Sequence, residues 1–233
     1  MGGIAVEKVH IGPTGGVNWD RTWLVTREDG RFLTQRQLPK MALIETSLPP
    51  EVLLEPAADL PTSTMIVTCW EWAGTARDEG DFAANWLREV LGKPVRLVRY
   101  MGKAGVGDAD GDPARRPVDP DFGKGYENTF SDGFPIHLTA EESLVDLNKR
   151  LEAPLPMDRF RANIVVAGGE PWAEDEWAGL RIGSLEFSSV KPCGPLQGSH
   201  PNPTMQVTDD RGTLGSGREV WLLACRPANE LVV

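Results

Sequence analysis

The sequence predicts a β-rich α+β fold whose N-terminal part is a small β-barrel or sandwich. Among its 233 residues, 19 Pro and 25 Gly favour many turns and therefore short strands over a helical bundle. From residue 4 to about residue 98 the pattern is mostly that of strands, and two segments of the chain have the spacing of amphipathic helices. At about 150 residues per domain, this length fits one large domain or two small ones.

The first half of the chain contains one hairpin signal and three further strand-like runs. The Asp-Gly turn at Asp29 and Gly30 predicts a hairpin whose strands cover 22–26 and 31–35. Pro-containing turns separate the further strands, which are predicted at 41–45, 51–55 and 65–70.

Two helices are predicted from apolar spacing and end signals. The first covers 81–91, where Phe82, Trp86 and Val90 recur every four residues before a stop signal at Gly92. The second covers 139–151, with Thr139 and Glu142 as a capping box.

The remaining segments complete the predicted organisation. Residues 102–128 are rich in Gly, Asp and Pro, which predicts an exposed long loop or an interdomain linker. Within it, residues 108–112 depart from calcium-loop spacing. The apolar run 164–167 predicts a buried strand, and 180–190 predicts two strands around Gly183.

Charge and cysteine content exclude several classes of function. The balance of 24 Lys+Arg against 34 Asp+Glu gives a net charge of −10, which argues against nucleic-acid binding but allows a local basic pocket for one small anion. The three cysteines, Cys69, Cys193 and Cys225, support neither a disulfide framework nor a four-ligand zinc site. With no signal peptide or membrane segment in the sequence, a cytoplasmic protein is expected.

A set of polar residues suited to anion binding remains after common catalytic motifs are excluded. The three histidines, His10, His137 and His200, lack metal-ligand spacing, so structural or surface roles are expected. Arg forks, a Ser hydroxyl and an Asn amide suit an anionic cofactor. The alternative is that these arginines pair with surface carboxylates, as Arg21 could with Asp20. The set consists of Arg21, Arg36, Ser131, Asp132, Arg159, Arg161, Asn163 and the thiol of Cys193.

Several of these residues lie in segments that carry a family resemblance. The sequences are DRTW at 20–23, DGRFLTQRQLP at 29–39, FSDGFP at 130–135, RFRANIVV at 159–166 and EDEW at 174–177. In order and spacing they resemble MOSC proteins, the molybdenum-cofactor sulfurase C-terminal family. The resemblance implies a MOSC N-terminal β-barrel domain over 1–95, and a mixed β-barrel MOSC domain with a few helices over 96–233.

The chain is further similar to amidoxime-reducing components and their bacterial relatives, molybdenum enzymes that reduce N-hydroxylated compounds. This similarity implies a molybdenum–molybdopterin cofactor near Arg21, Ser131, Arg161 and Asn163, with Asp132 and Arg159 as neighbours. It also implies a small-molecule substrate, and electrons from a reductase, a b-type cytochrome or a ferredoxin-like protein. It leaves a mitochondrial association open.

Two departures from the family pattern affect the expected site. The family has a lysine-bearing strand ahead of the position of Gly2, so the first barrel strand and one cofactor contact are expected to be missing. The family's metal-ligating Cys-x-Arg-Cys is replaced by Cys193-Gly194-Pro195-Leu196, so the expected ligand position is Leu196. Leu196 cannot ligate a metal, which leaves Cys193 as the catalytic candidate and the metal ligand unknown.

One hypothesis for the atypical residues from about 194 onward is a shifted reading frame. Deleting one base from suitable codons for 194–197 gives Ala-Arg-Cys-Lys, which restores the family motif after Cys193.

Two other functions remain open. One is a non-catalytic molybdopterin-binding or sulfur-carrier module. The other is a pyridoxal-phosphate-binding domain, for which Lys124 and Lys191 are available but no motif singles out either.

Overall fold

The computed structural model describes residues 3–6, 8–12, 14–47, 63–102, 112–123, 125–192, 220–224 and 230–232. For residues 8, 191–192, 220–224 and 230–232 it describes the backbone alone. Over these ranges the chain is mostly β with three α-helices, which confirms the predicted β-rich class. The strands form sheets of four, five and two strands. No helix within the described ranges is long and apolar enough to cross a membrane.

The four-stranded sheet belongs to the first half of the chain and is antiparallel. Its strand order is β2–β5–β4–β3. The prediction of a strand at 65–70 is confirmed by β3, whereas β4 and β5 were not predicted as separate strands. The strands are β2 (Trp23–Thr26), β3 (Thr64–Cys69), β4 (Trp72–Asp78) and β5 (Arg96–Arg99).

Helix α1 (Gly80–Leu91) follows β4 directly and packs on this sheet. Its buried side chains are Ala84, Leu87 and Leu91. The chain leaves the helix at Gly92, whose φ of 72° is the left-handed conformation that glycine adopts without steric cost. The predicted helix and its stop signal are therefore confirmed.

Two predictions in the first half need correction. The strand expected at 41–45 is a 3₁₀ turn, Pro39–Leu43, because a proline suits the first turn of a helix and Met41 and Ile44 face the same core three residues apart. The hairpin turn forms, but its second strand is reduced to a bridge between Thr26 and Phe32. The strand expected at 51–55 lies outside the described residues.

The five-stranded sheet belongs to the second half of the chain and has the order β7–β6–β10–β9–β8. β6 and β7 run parallel and are connected through helix α3 (Glu141–Asn148), while the other pairs are antiparallel. The predicted strands at 164–167 and 180–190 are confirmed. The strands are β6 (Ile136–Ala140), β7 (Ile164–Val166), β8 (Gly179–Ile182), β9 (Leu185–Pro192) and β10 (Val220–Ala224).

The core of the second half includes residues from the start of the chain. Ile11 is buried with Ile136, Leu138 and Phe187, and Val9 packs against them. Strand β1 (Lys8–His10) pairs with β11 (Glu230–Val232) to form the two-stranded sheet.

The capping box predicted at Thr139 and Glu142 does not form. Thr139 belongs to strand β6 and caps no helix, because its backbone pairs with Val165 of β7. Glu142 instead accepts a hydrogen bond from the backbone N–H of Gly168 at 2.7 Å.

The segment expected to be an exposed loop or linker is instead partly buried. It contains helix α2 (Pro120–Gly123), and Arg116, Val118 and Glu127 are all buried. Residues 103–111, which include most of the calcium-like sequence, lie outside the described ranges.

Candidate functional site

The six predicted cofactor-binding residues all lie just before a strand. Arg21 precedes β2, while Ser131 and Asp132 precede β6, and the three from 159 to 163 precede β7. Because β6 and β7 are parallel neighbours, the segments that enter them reach the same edge of the sheet. We call this edge, where residues 131–135 lead into β6 and residues 159–163 lead into β7, the entry edge.

Asn163 joins the two parallel strands to the first half of the chain. Its backbone N–H donates to the carbonyl of His137 at 2.8 Å, and its Oδ1 accepts from the His137 N–H at 3.0 Å. Its Nδ2 donates to the Asp20 carboxylate at 2.9 Å. The amide of Asn163 therefore links Asp20 to the entry edge.

Arg21 lies beside Asn163 and contacts the second half of the chain. Its guanidinium donates to the Asp20 carboxylate, to Asn163 Oδ1 at 3.3 Å and to the Arg161 carbonyl at 3.0 Å. The ion pair with Asp20, predicted as the alternative to anion binding, is therefore present. The same guanidinium also contacts Asn163 and Arg161.

The backbones of Arg21 and Arg161 are both strained. Their φ values are 47° and 56°, in the left-handed region that non-glycine residues rarely adopt. Such a conformation costs of order 1–3 kcal/mol and persists where surrounding contacts determine it. Strain at two adjoining arginines is typical of a functional site.

The guanidinium of Arg161 places a positive charge at the entry edge. It makes no hydrogen bond or ion pair with any residue of the described ranges. Although the residue is exposed, desolvation of its guanidinium and then the nearby charge of Arg21 lower the pKa of Arg161. Among the described residues, the charges that act on Arg161 are those of Arg21 and Asp20, so two arginines face one carboxylate and form a local cationic surface on an acidic protein.

The other predicted residues occupy this region in different ways. Asp132 and Arg159 are exposed. Ser131 is buried, and its hydroxyl donates to Asn128 Oδ1 at 3.1 Å, so the structure does not present this hydroxyl on the surface. Its predicted contact with a cofactor remains a prediction.

Arg116 is a residue of this region that sequence reasoning missed. It is buried, and its guanidinium donates to backbone carbonyls of Thr129, Ser131 and Asp132. A buried arginine that binds carbonyl groups leaves no periodic pattern, and the Gly/Pro-rich surroundings of Arg116 predicted an exposed segment. The only available signal was the position of Arg116 in a short basic pair, Arg115-Arg116.

Cysteine and metal chemistry receive little support from the described residues. Cys69 is a free, buried thiol whose pKa is raised, chiefly by burial. Within the described ranges no group of three or more His, Cys, Asp or Glu side chains could hold a metal ion. Cys193, Leu196 and the side chain of Lys191 are outside what the structure describes, as is Lys124.

An open cavity of about 530 Å³ lies on the first half of the chain, away from the entry edge. Arg27, Leu33, Gln37 and Lys93 are among the residues that line it. None of the six predicted residues contributes to it, so it is separate from the candidate site.

Comparison with known proteins gives two family matches. Residues 1–94 match the MOSC N-terminal beta barrel domain, and residues 125–212 match the MOSC domain.

Individual relatives agree with these matches. The mitochondrial amidoxime reducing component 2 of Rattus norvegicus is 36% identical over 200 residues, which cover 80% of this chain and 58% of the rat protein. The corresponding Homo sapiens protein is 33% identical over 234 residues, covering 95% of this chain and 68% of the human protein. The molybdenum cofactor sulfurase of Arabidopsis thaliana is 30% identical over 209 residues, covering 78% of this chain and 25% of that protein.

Proposed function

The chain belongs to the MOSC family, and on that premise we propose that it binds a molybdenum–molybdopterin cofactor at the entry edge. We further propose that it is an oxidoreductase that reduces N-hydroxylated small molecules, as the name of its amidoxime-reducing relatives suggests. The electrons come from a separate protein, such as a reductase, a b-type cytochrome or a ferredoxin-like protein.

The observation that carries this proposal is the pairing of Arg21 with Arg161. Among the described residues, the charge of Asp20 acts on both guanidinium groups, and the guanidinium of Arg161 makes no hydrogen bond or ion pair. A bound phosphate would supply the missing negative charge and could accept bidentate hydrogen bonds from a planar guanidinium. The donor chemistry of the entry edge therefore fits the phosphate of a pterin cofactor.

The residues of the chain would bind and orient this group. Asp20 and the Arg161 carbonyl fix the direction of the Arg21 guanidinium, and Asn163 holds the two halves of the site together. The cofactor itself would supply two-electron redox chemistry, while the protein supplies charge and position.

The metal end of the cofactor fits this sequence less well. Position 196, where the family resemblance expects a thiolate, is a leucine without any donor atom. We therefore derive no step through the metal. Leu196 is also the feature that favours the second candidate function, a module that holds the pterin without turnover.

Metal and pterin content distinguish these functions. The unchanged chain and a Leu196→Cys variant should be purified after expression in a host that makes the cofactor. Stoichiometric molybdenum together with pterin in the unchanged chain is the result expected of the oxidoreductase, and it would show that a group other than residue 196 ligates the metal. Pterin in both proteins with molybdenum in the variant alone favours the module that holds the pterin without turnover. Pterin in neither protein overturns both functions.

A pair of arginine variants locates the binding site. Arg161→Gln should lower pterin content, because it removes a guanidinium that has no hydrogen bond or ion pair among the described residues and is next to Arg21. Arg181→Gln is the matched control, since Arg181 forms an exposed ion pair with Glu186 on β8 and β9. Equal losses in the two variants would count against the entry edge.

Pyridoxal phosphate is the least supported of the three candidates. It needs a lysine for a Schiff base, and no lysine side chain is placed beside Arg21 or Arg161 among the described contacts.

A further inference from the structure

The side chain of Arg116 binds three backbone carbonyls of one short loop, residues 129–132. Its Nη1 donates to the carbonyls of Thr129, at 3.0 Å, and Ser131, and its Nη2 donates to that of Asp132 at 2.8 Å. The residue is buried, with 8% of its surface exposed. We call residues 129–132 the entry loop, because they lead toward β6 at the entry edge.

The entry loop contacts the arginine site directly. The Thr129 hydroxyl donates to the Asp20 carbonyl at 3.1 Å, and the Phe130 N–H donates to the Arg21 carbonyl at 3.0 Å. The backbone of Arg21 is therefore positioned partly by the entry loop. A change in the loop would be transmitted to Arg21 through these two bonds.

Arg116 is itself fixed at its backbone. Its N–H donates to the Tyr100 hydroxyl at 2.8 Å, and its carbonyl accepts from the Asn128 N–H at 2.8 Å. Tyr100 in turn donates to the Glu127 carboxylate, which also accepts from Arg115 Nε at 2.6 Å. The guanidinium thus extends from a backbone whose N–H and carbonyl are both hydrogen-bonded.

We propose that Arg116 is a positioning residue for the anion site, acting through the entry loop on Arg21 and Asp132. This inference rests on the proposed function for the identity of its ligand, but its structural content concerns the cofactor-free chain. The role requires arginine, because a planar fork with five N–H donors can serve three carbonyls from one side chain. A lysine ammonium is a point charge and cannot reproduce that geometry.

Hydrogen–deuterium exchange of the cofactor-free chain tests the positioning role. In Arg116→Lys, exchange in the peptide that covers 129–133 should rise by about tenfold or more, because carbonyls lose charged donors and the loop opens locally. Exchange in α1 and β3 should stay unchanged. Arg181→Lys, the same substitution in an exposed ion pair, should alter neither region.

The outcomes of this experiment separate positioning from general stability. A rise confined to 129–133 supports the inference. If exchange does not rise, Arg116 does not hold the loop, and the inference is overturned. An equal rise throughout the chain also overturns it, because Arg116 then contributes only to the stability of the whole fold.

A measurement on the unchanged protein covers the case in which Arg116→Lys does not fold. Nuclear magnetic resonance should show slowly exchanging guanidinium protons for Arg116 and fast exchange for the exposed Arg159. Fast exchange at Arg116 would contradict the three hydrogen bonds and the inference with them.

Cofactor content keeps this inference distinguishable from the proposed function. If the unchanged chain takes up pterin, Arg116→Lys should retain less of it while Arg181→Lys retains as much as the unchanged chain. Equal retention in both variants overturns the positioning role. If the unchanged chain takes up no pterin, the proposed function fails, while the exchange measurements still decide whether Arg116 holds the loop.

Discussion

Arg21 donates a 3.0 Å hydrogen bond from Nη2 to the carbonyl of Arg161, and so holds two arginines together across 140 residues of sequence. The contact brings like charges close, and desolvation followed by the charge of Arg21 lowers the pKa of Arg161. Part of this repulsion is offset by Asp20. An anion that binds between the two guanidinium groups would offset the rest of the repulsion between them. The repulsion in the free site therefore favours anion binding.

Replacing Arg161 should separate binding from stability. Arg161→Gly should raise the free energy of unfolding by about 1 kcal/mol over Arg161→Gln, because glycine adopts the observed φ of 56° without strain. Both variants should bind inorganic phosphate about tenfold more weakly than the unchanged chain, since a charged donor is lost. Urea unfolding and titration calorimetry measure the two effects. Equal stability of the two variants would show that the backbone there is unstrained.

Tyr100→Phe should destabilise the fold by about 1–3 kcal/mol. The change leaves Glu127 buried without its hydroxyl donor and the Arg116 N–H without its acceptor. The apolar volume is nearly conserved, so the loss reports on the polar network. Urea unfolding near neutral pH measures it, and a loss below about 0.5 kcal/mol would mean that water replaces the hydroxyl.

The same residue predicts a loss of stability at alkaline pH. Burial, then the hydrogen bond to Glu127 and its charge, raise the pKa of Tyr100 above the ordinary value of 10.0. A group whose pKa is raised by folding contributes stability that is complete below its unfolded pKa and declines as pH rises above it. Unfolding at about pH 9 and about pH 11 should therefore show a smaller decline in Tyr100→Phe than in the unchanged chain. Parallel declines would contradict the raised pKa.

Two substitutions in α1 should differ sharply in their effect on stability. Leu87→Ala should cost about 2–5 kcal/mol, because Leu87 is buried in the core between the helix and the four-stranded sheet. Phe82→Ala should change stability by no more than about 0.5 kcal/mol, because Phe82 is 90% exposed. Thermal unfolding of both variants checks the difference, and a large loss in Phe82→Ala would mean that its ring is covered in solution.

The elements that could be predicted from sequence depend on local signals. The Asp29-Gly30 turn and the end of α1 at Gly92 each require a particular backbone conformation of a few neighbouring residues. Thr139 shows the limit of this reasoning, because pairing with Val165, distant in sequence, overrides a good capping signal. Met41 and Ile44 likewise face a core whose partners, Leu87 and Leu91, lie far along the chain.

The candidate site could be predicted only in part, because its residues also come together through contacts between segments that are distant in sequence. The pattern of residue types selected Arg21, Arg161 and Asn163 as possible anion ligands, but their adjacency depends on the parallel pairing of β6 with β7. Arg116 was missed because its partners are backbone carbonyls, which any sequence supplies. The family resemblance, rather than spacing, gave the reason to expect these segments together.

Helix α3 begins where β6 ends, so its N-terminus lies at the opposite end of the parallel pair from the entry edge. That N-terminus carries the positive end of the helix dipole, which is the usual backbone source of attraction for phosphate. Carboxylates already lie at that end, since Glu174 accepts from the N–H of the capping residue Ala140, and Glu141 and Glu142 belong to the first turn of the helix. The dipole of α3 therefore does not attract an anion to the entry edge, and the charges that the structure places there are those of side chains such as Arg21 and Arg161, which single substitutions can remove. Substitutions at these positions would change the charge of the proposed anion site while β6, β7 and α3 keep their arrangement.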